Sequence, residues 1–292
     1  MSQAGKVLAD ITVTRLAEHQ FMVVVAEGFH RRVTTMLRRA IRPDDRMWVT
    51  DATSGLTMIS VQGPKSRDLL TRITDADLSN ESFPYYTAQQ IDLEYALAWA
   101  FRMSFVGELG WELYVPAEFA LGVYDAIVRE GESFDLVHAG MATLESTRTE
   151  AGRKDYGLDM ENTDSPIEAG LGFAVDFDKP GGFVGRAALL SDKEAGPPKR
   201  RLVQFLLDDP EPLLYGEEPV FRDGKRAGYL RSGNYGHTLG GAMGFGYIDD
   251  PDGVTPAYVR EGSYEIQVAG ELIPAQASLR PMYDPKGERV RM

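Results

Sequence analysis

Between Phe101 and Pro116, the run FRMSFVGELGWELYVP sets one carboxylate, Glu112, among apolar residues just after a glycine turn. Residues 97–105 form a mostly apolar run of strand length. Gly107-Glu108-Leu109-Gly110 supplies turn chemistry, and residues 111–115 alternate as a second strand, so the segment reads as a β-hairpin. A period of two puts Trp111, Leu113 and Val115 on one face and Glu112 and Tyr114 on the other. If the Glu112 face lines a pocket, its two oxygens can accept two adjacent N–H donors, the pattern that a pterin or guanidine-like heterocycle presents along one edge. If that face is wetted, Glu112 is an ordinary solvent-facing acid. The segment alone leaves both readings open.

Other chemistries find little support. The 292 residues include no cysteine, which excludes disulfides, thiolate catalysis and cysteine-type zinc sites. His19, His30, His138 and His237 show no HxxxH or HxH spacing, so no metal site is expected. No phosphate-binding GxxxxGK[ST] and no GxSxG elbow occurs. The glycine clusters GLGF (170–173) and GGAMGFG (240–246) look like pieces of a dinucleotide fingerprint. Neither has the strand, helix and distant acid that such a site needs, and both read as tight strand turns. No flavin or nucleotide motif is therefore expected.

At 43% hydrophobic and 26% charged, the composition is that of a folded protein long enough for two cores. No apolar run approaches a membrane span and MSQAGKVLAD lacks signal-peptide character, so the expectation is a cytoplasmic protein with no membrane partner. The net charge of −13, from 31 basic against 44 acidic residues, argues against nucleic acid. One run opposes the trend: HRRVTTMLRRAIR (30–42) reads as a helix with Val33, Met36, Leu37 and Ala40 on its apolar side. Its arginines are either a solvated face or a docking stripe for a polyanionic tail or acidic partner.

The elements needed to position Glu112 follow from pattern. Strands are expected at 10–16, 20–26 and 56–62, and helices at 29–41, 64–73, 117–130 and 141–153. The segment SDKEAGPPKR (191–200) reads as a linker, and beyond it strands are expected at 202–207, 219–222, 226–231, 243–248, 257–259, 264–268 and 273–279. The fold class is α+β, with seven short strands closing the chain as a small barrel or sandwich.

Several blocks, in order, carry a resemblance: VGELGWELYVP, HAGMATLESTRTEAGRKDYGLDMENTDSPIEAGLGFAVDF with GFVGRAALL, RSGNYGHTLG and SLRPMYDPKGERVR. Together they resemble the glycine-cleavage T-protein (aminomethyltransferase) family, most closely the folate-binding C-terminal half of dimethylglycine and sarcosine dehydrogenases. ITDADLSNESFPY is a further block of that branch, and the resemblance spans essentially the whole chain. It implies an N-terminally shortened GcvT-like folate-binding α+β domain over 1–190, a linker over 191–200 and a C-terminal β-barrel over 201–292.

The resemblance also implies tetrahydrofolate as cofactor and one-carbon transfer from a small-molecule methyl or methylene donor, such as an N-methylated amine. Glu112 falls on the family's pterin-recognising carboxylate and Asp10 on its catalytic aspartate. An acid beside the reacting nitrogens can move protons and stabilise developing positive charge. Phe105 stands where T-proteins usually carry tyrosine, keeping an apolar wall and losing a hydroxyl. Leu144 replaces an arginine and Val25 an asparagine. Tyr156, Asn234, Tyr235 and Tyr283 are pocket-edge candidates or else core and turn residues.

Family members usually carry more of the folate domain before the position of Asp10. The resemblance therefore implies a protein partner supplying that front, a truncation or a rebuilt homo-oligomer. The first is favoured because the strands at 10–16 and 20–26 otherwise lack neighbours. A flavin (FAD) subunit is a second implied partner. The alternative function is a non-catalytic folate-binding or structural subunit of a flavin-dependent dehydrogenase complex.

Overall fold

A computed structural model describes residues 1–292. The chain forms two compact units: Ile11–Gly140 with Lys286–Met292, and Met1–Asp10 with Met141–Pro285.

In the first of these, alternating apolar residues build a four-stranded antiparallel sheet. Strands β1 (Ile11–Ala17) and β2 (Gln20–Val25) pair only with each other, and helix α1 (His30–Ala40) follows. Strand β3 (Leu56–Gln62), helix α2 (Ser66–Leu70), strands β4 (Ala88–Leu93), β5 (Ala96–Phe101) and β6 (Gly110–Pro116), and helix α3 (Ala120–Gly131) complete the unit. Their sheet order is β3-β6-β5-β4.

The expected hairpin is present, with Trp99 opposite Tyr114, Ala100 opposite Leu113 and Phe101 opposite Glu112. Trp111, Leu113 and Val115 are fully buried, in one core with Val123, Ala126 and Ile127 of α3. Each large apolar side chain so buried contributes about 1.5–3 kcal/mol, enough to fix which face of β6 points inward.

Three local expectations need correction here. The apolar run at 97–105 leaves the sheet at Phe101, and residues 102–109 form the connection to β6. Helix α2 is half the expected length. On α1 only Val33 of the apolar side is buried, while Met36 is 41% exposed. Strand β4, AQQIDL, was not anticipated. Its glutamines mask an alternation that buries Ile91 and Leu93.

In the other unit, helices α4 (Met141–Glu150) and α5 (Arg186–Glu194) precede β7 (Arg200–Leu207), β8 (Pro219–Arg222), β9 (Lys225–Gly236) and β10 (Gly241–Asp249). Helix α6 (Pro256–Glu261) and strands β11 (Tyr264–Val268) and β12 (Glu271–Ser278) follow. The six strands close into a barrel in the order β10-β7-β12-β11-β8-β9, around Val203, Phe205, Val220, Leu230 and Ile266. The strand expected at 257–259 is α6 instead. The Thr255 side chain accepts from the Tyr258 N–H at 3.0 Å, and Pro256 opens the first turn, a start signal that outweighs the β-propensity of Tyr258 and Val259. Residues 191–194 form the last turn of α5.

The GGAMGFG cluster is only partly a turn. Gly240 turns with φ +78°, whereas Gly244 lies inside β10, where an added Cβ would meet the Ser232 carbonyl oxygen at 2.1 Å. The barrel's strand contact requires the missing side chain. Gly122, exposed on α3, has open space around the same position. Gly244→Ala is expected to destabilise the protein by about 2 kcal/mol or more. Gly122→Ala is expected to stabilise it by about 0.5–1 kcal/mol. Urea denaturation of the two variants should show opposite signs.

Candidate functional site

Glu112 sits mid-strand on β6, on the side of the sheet opposite the core, facing Phe101 of β5 and Ser60 of β3. Its carboxylate is half-buried. Tyr114, two residues on and therefore on the same face, donates its hydroxyl to Glu112 Oε2 at 2.9 Å. The Tyr114 ring lies 4.7 Å from that of Phe101, and both rings are buried. Burial raises the Glu112 carboxyl above its ordinary value, and the Tyr114 hydrogen bond only partly opposes this. Burial and the neighbouring carboxylate together push the Tyr114 phenol upward, so it stays protonated and remains a donor. The result is a carboxylate with acceptor capacity in hand, on an aromatic wall. Phe105 lies in the β5–β6 connection of the same unit, half-buried. Val25, at the end of β2, is also half-buried.

Asp10 belongs to the other unit, where it is exposed at the end of a segment tied down by a Val7 N–H to Asp164 carbonyl bond of 2.9 Å and a Lys6–Glu168 ion pair of 3.2 Å. Its charge acts on Asp155. Burial raises the Asp155 carboxyl, Arg148 pulls it down, and Glu145, Asp159 and Asp10 push it up. Asp155 was not singled out from sequence, although it adjoins Tyr156 in the run RKDYG. Its only sequence signal was that adjacency.

Behind these acids Arg148 is fully buried, 2.5 Å from the equally buried Asp159 and 2.6 Å from Glu145. Asp159 also accepts from the Ser232 hydroxyl and from the Asp155 N–H at 2.8 Å. Helix α4, the turn after it and strand β9 thus share one polar network. Tyr156 is buried, bridging to Met160. Tyr235 is half-buried, its ring 5.2 Å from His237 and its carbonyl accepting the Ser146 hydroxyl at 2.6 Å. Asn234 donates to the Thr149 hydroxyl at 3.0 Å and the Tyr283 N–H to the Glu150 carbonyl at 3.2 Å. Leu144 is half-buried on α4.

Residues 1–179 match the family described as GCVT N-terminal domain, and residues 200–284 the glycine cleavage T-protein C-terminal barrel domain. The chain belongs to the glycine cleavage T-protein family. The expected resemblance and the α+β-plus-barrel fold are both borne out.

Among T-protein relatives, the 4-methylaminobutanoate oxidase (formaldehyde-forming) of Paenarthrobacter nicotinovorans is 41% identical over 283 residues, covering 97% of this chain and 33% of the relative. Human mitochondrial sarcosine dehydrogenase is 35% identical over 310 residues, covering 100% of this chain and 33% of the relative. The chain therefore spans about one third of the length of these relatives. The glycine cleavage system aminomethyltransferase T of Bartonella henselae shares the fold, with a TM-score of 0.82 at 22% identity over 98% of this chain and 74% of that one.

A family member carrying a half-buried acid at Glu112 holds a charge that folding disfavours. Because its pKa is raised in the fold, this group's contribution is most favourable below its unfolded value and is lost as pH rises through the folded one. Glu112→Gln keeps an acceptor for Tyr114 and removes the charge. It is expected to raise the melting temperature at pH 7, with the gain vanishing as the pH falls below the ordinary carboxylate range. A pH series of melting curves for the two proteins checks this.

Proposed function

We propose that this chain carries out tetrahydrofolate-dependent one-carbon transfer, receiving a methyl or methylene unit from an N-methylated amine. The observation that carries the reading is Glu112, a half-buried carboxylate on an aromatic wall with acceptor capacity beyond its Tyr114 bond. A pterin edge fits it, because two adjacent N–H donors satisfy a planar carboxylate and the flat ring system packs on aromatic carbon. Two relatives support the donor class by name: 4-methylaminobutanoate and sarcosine are both secondary N-methyl amines.

Tetrahydrofolate, when bound, supplies the nitrogens that receive the carbon. Glu112 accepts the pterin N–H pair, and the Tyr114 hydroxyl holds Oε2 so that the acceptor geometry is set before binding. Phe101 and Tyr114 exclude water from that contact, with Phe105 a further apolar candidate for the same role. In the other unit Asp10 is exposed and Asp155 half-buried with a raised pKa. An exposed acid and a half-buried one suit different tasks. Asp10 is the candidate to accept a proton from an amine nitrogen or to stabilise positive charge there, and Asp155 retains a proton to higher pH. Tyr156, next to Asp155 in sequence, and Tyr235, whose carbonyl accepts the Ser146 hydroxyl of α4, are candidates for the pocket edge. Since the matched relatives are about three times longer, we further propose that the amine is oxidised by a flavin-bearing partner or domain.

Calorimetric titration with tetrahydrofolate tests the reading. Binding by the wild type is expected, and Glu112→Ala should weaken it more than about tenfold, the value of a buried charge-assisted pair of hydrogen bonds. No binding by the wild type, alone or with its flavoprotein partner, would sink the proposal. Asp10→Asn should retain affinity while lowering the transfer rate by about 10²–10⁴-fold, as expected for loss of a proton-transfer group. An unchanged rate in single-turnover assays would instead make the chain a folate-binding subunit without chemistry of its own.

A further inference from the structure

The barrel-containing unit holds a second feature that the one-carbon reading leaves unused. Where the turn after α4 meets β7, β10 and the segment after β12, a cleft is lined by Lys154, Arg201, Gln204, Phe245 and Arg280. It offers about 50 Å³ to the centres of water-sized atoms. One water needs about 10–15 Å³ on that measure, so the cleft has room for a few waters or one tetrahedral oxyanion.

Three cations line this cleft and no carboxylate does. In a chain carrying 44 acidic residues, that separation runs against simple neutralisation. Lys154 and Arg201 are half-buried, while Arg280 is exposed and stands at the mouth. Lys154 Nζ reaches only the Gly152 carbonyl, at a long 3.4 Å, and lies 5.5 Å from the centre of the Phe245 ring. The Nε of Arg201 is buried with no hydrogen-bond partner. A buried donor left in that state is destabilising, and an acceptor in the cleft would satisfy it. The one carboxylate whose attraction Lys154 feels is Asp159, already bound to Arg148 and Ser232. Burial lowers the Lys154 ammonium pKa, and Arg153 and Arg201 lower it further, as cations without a counter-ion do.

Gln204 is buried with both ends committed: Nε2 donates to the Thr149 carbonyl at 2.6 Å, and Oε1 accepts the Met282 N–H at 3.0 Å. It cannot swing in to satisfy the cations, so what balances them must come from outside.

We infer that this cleft is a binding site for a doubly charged tetrahedral oxyanion of the phosphate class, held between Lys154 and the guanidinium groups of Arg201 and Arg280. The ammonium provides a compact point charge and the arginines provide forked donors, and together they suit a compact dianion better than a single planar carboxylate. The site is independent of the folate proposal, and its test contains no folate.

The experiment titrates the full 292-residue chain with sodium phosphate by calorimetry, at ionic strength held constant with sodium chloride, alongside melting curves in the same buffers. Saturable phosphate binding is expected, with a melting temperature above that in chloride. Arg280→Gln, at an exposed position that leaves the fold intact, and Lys154→Gln should each weaken binding by about tenfold. Methyl phosphate serves as a second arm. Binding by both ligands marks recognition of a phosphoryl group carried by a larger molecule, and binding by inorganic phosphate alone marks the free ion. The inference is overturned if phosphate acts no differently from chloride, or if Arg280→Gln and Lys154→Gln both bind phosphate as the wild type does.

Discussion

One strand serves two surfaces, and the parity of its alternation is the constraint on which the candidate site depends. Trp111, Leu113 and Val115 of β6 enter a dry core, so Glu112 and Tyr114 must face the other way. A slip of one residue would bring the Glu112 carboxylate into that core and expose a tryptophan, trading several kcal/mol of apolar burial for an unpaired buried charge. The strands on either side enforce the same parity: Ile59 and Ala100 lie level with Leu113, whereas Ser60 and Phe101 lie level with Glu112. The acid is placed by core packing and the Tyr114 hydrogen bond, without an ion pair to hold it, and that leaves acceptor capacity on its oxygens.

Other buried acids in the chain show what a structural carboxylate looks like by contrast. Glu150 accepts two adjacent backbone N–H groups, from Thr238 and Leu239, and so secures the β9–β10 hairpin to α4. Asp159 is saturated by Arg148, Ser232 and the Asp155 N–H. Removing either would strand buried partners. Glu150, too, meets a pair of N–H donors, but both converge on its Oε1 and both come from the chain itself. What separates the two acids is who supplies the donors.

The hairpin and the facing of its side chains were legible because they depend on local alternation and a glycine turn. Strand β4 was not, since AQQIDL carries few β-branched residues and gains its stability from pairing with β5. At 257–259 the balance is the opposite: the β-propensity of Tyr258 and Val259 suggests a strand, and the Thr255-Pro256 helix start outweighs it. For the sites the limit is different. Glu112 could be picked out because a lone acid in an apolar strand is conspicuous. Asp155 could not, since its pKa is raised by burial and by Glu145, Asp159 and Asp10 against the pull of Arg148, surroundings brought together by folding across nearly 150 residues of chain. The cleft of Lys154, Arg201 and Arg280 likewise joins three segments whose charges, read in sequence, look like scattered surface residues.

The most conspicuous basic run in the sequence fares differently once exposure is known. Arg31, Arg32, Arg38 and Arg39 on α1 all stand in solvent, and Arg42 spends its guanidinium on Asp45 at 3.1 Å. At physiological ionic strength such charges are screened within about 8 Å, and water competes fully for their hydrogen bonds. The same screening blunts the chain's overall charge of −13, so long-range repulsion does not decide whether an anion binds; the local surroundings of the cations do. Lys154 and Arg201 are withdrawn from water, where desolvation weakens competing solvent contacts and strengthens any counter-ion they receive. Of the two cationic clusters, the shorter one, hidden between segments, has the surroundings in which charge becomes binding energy.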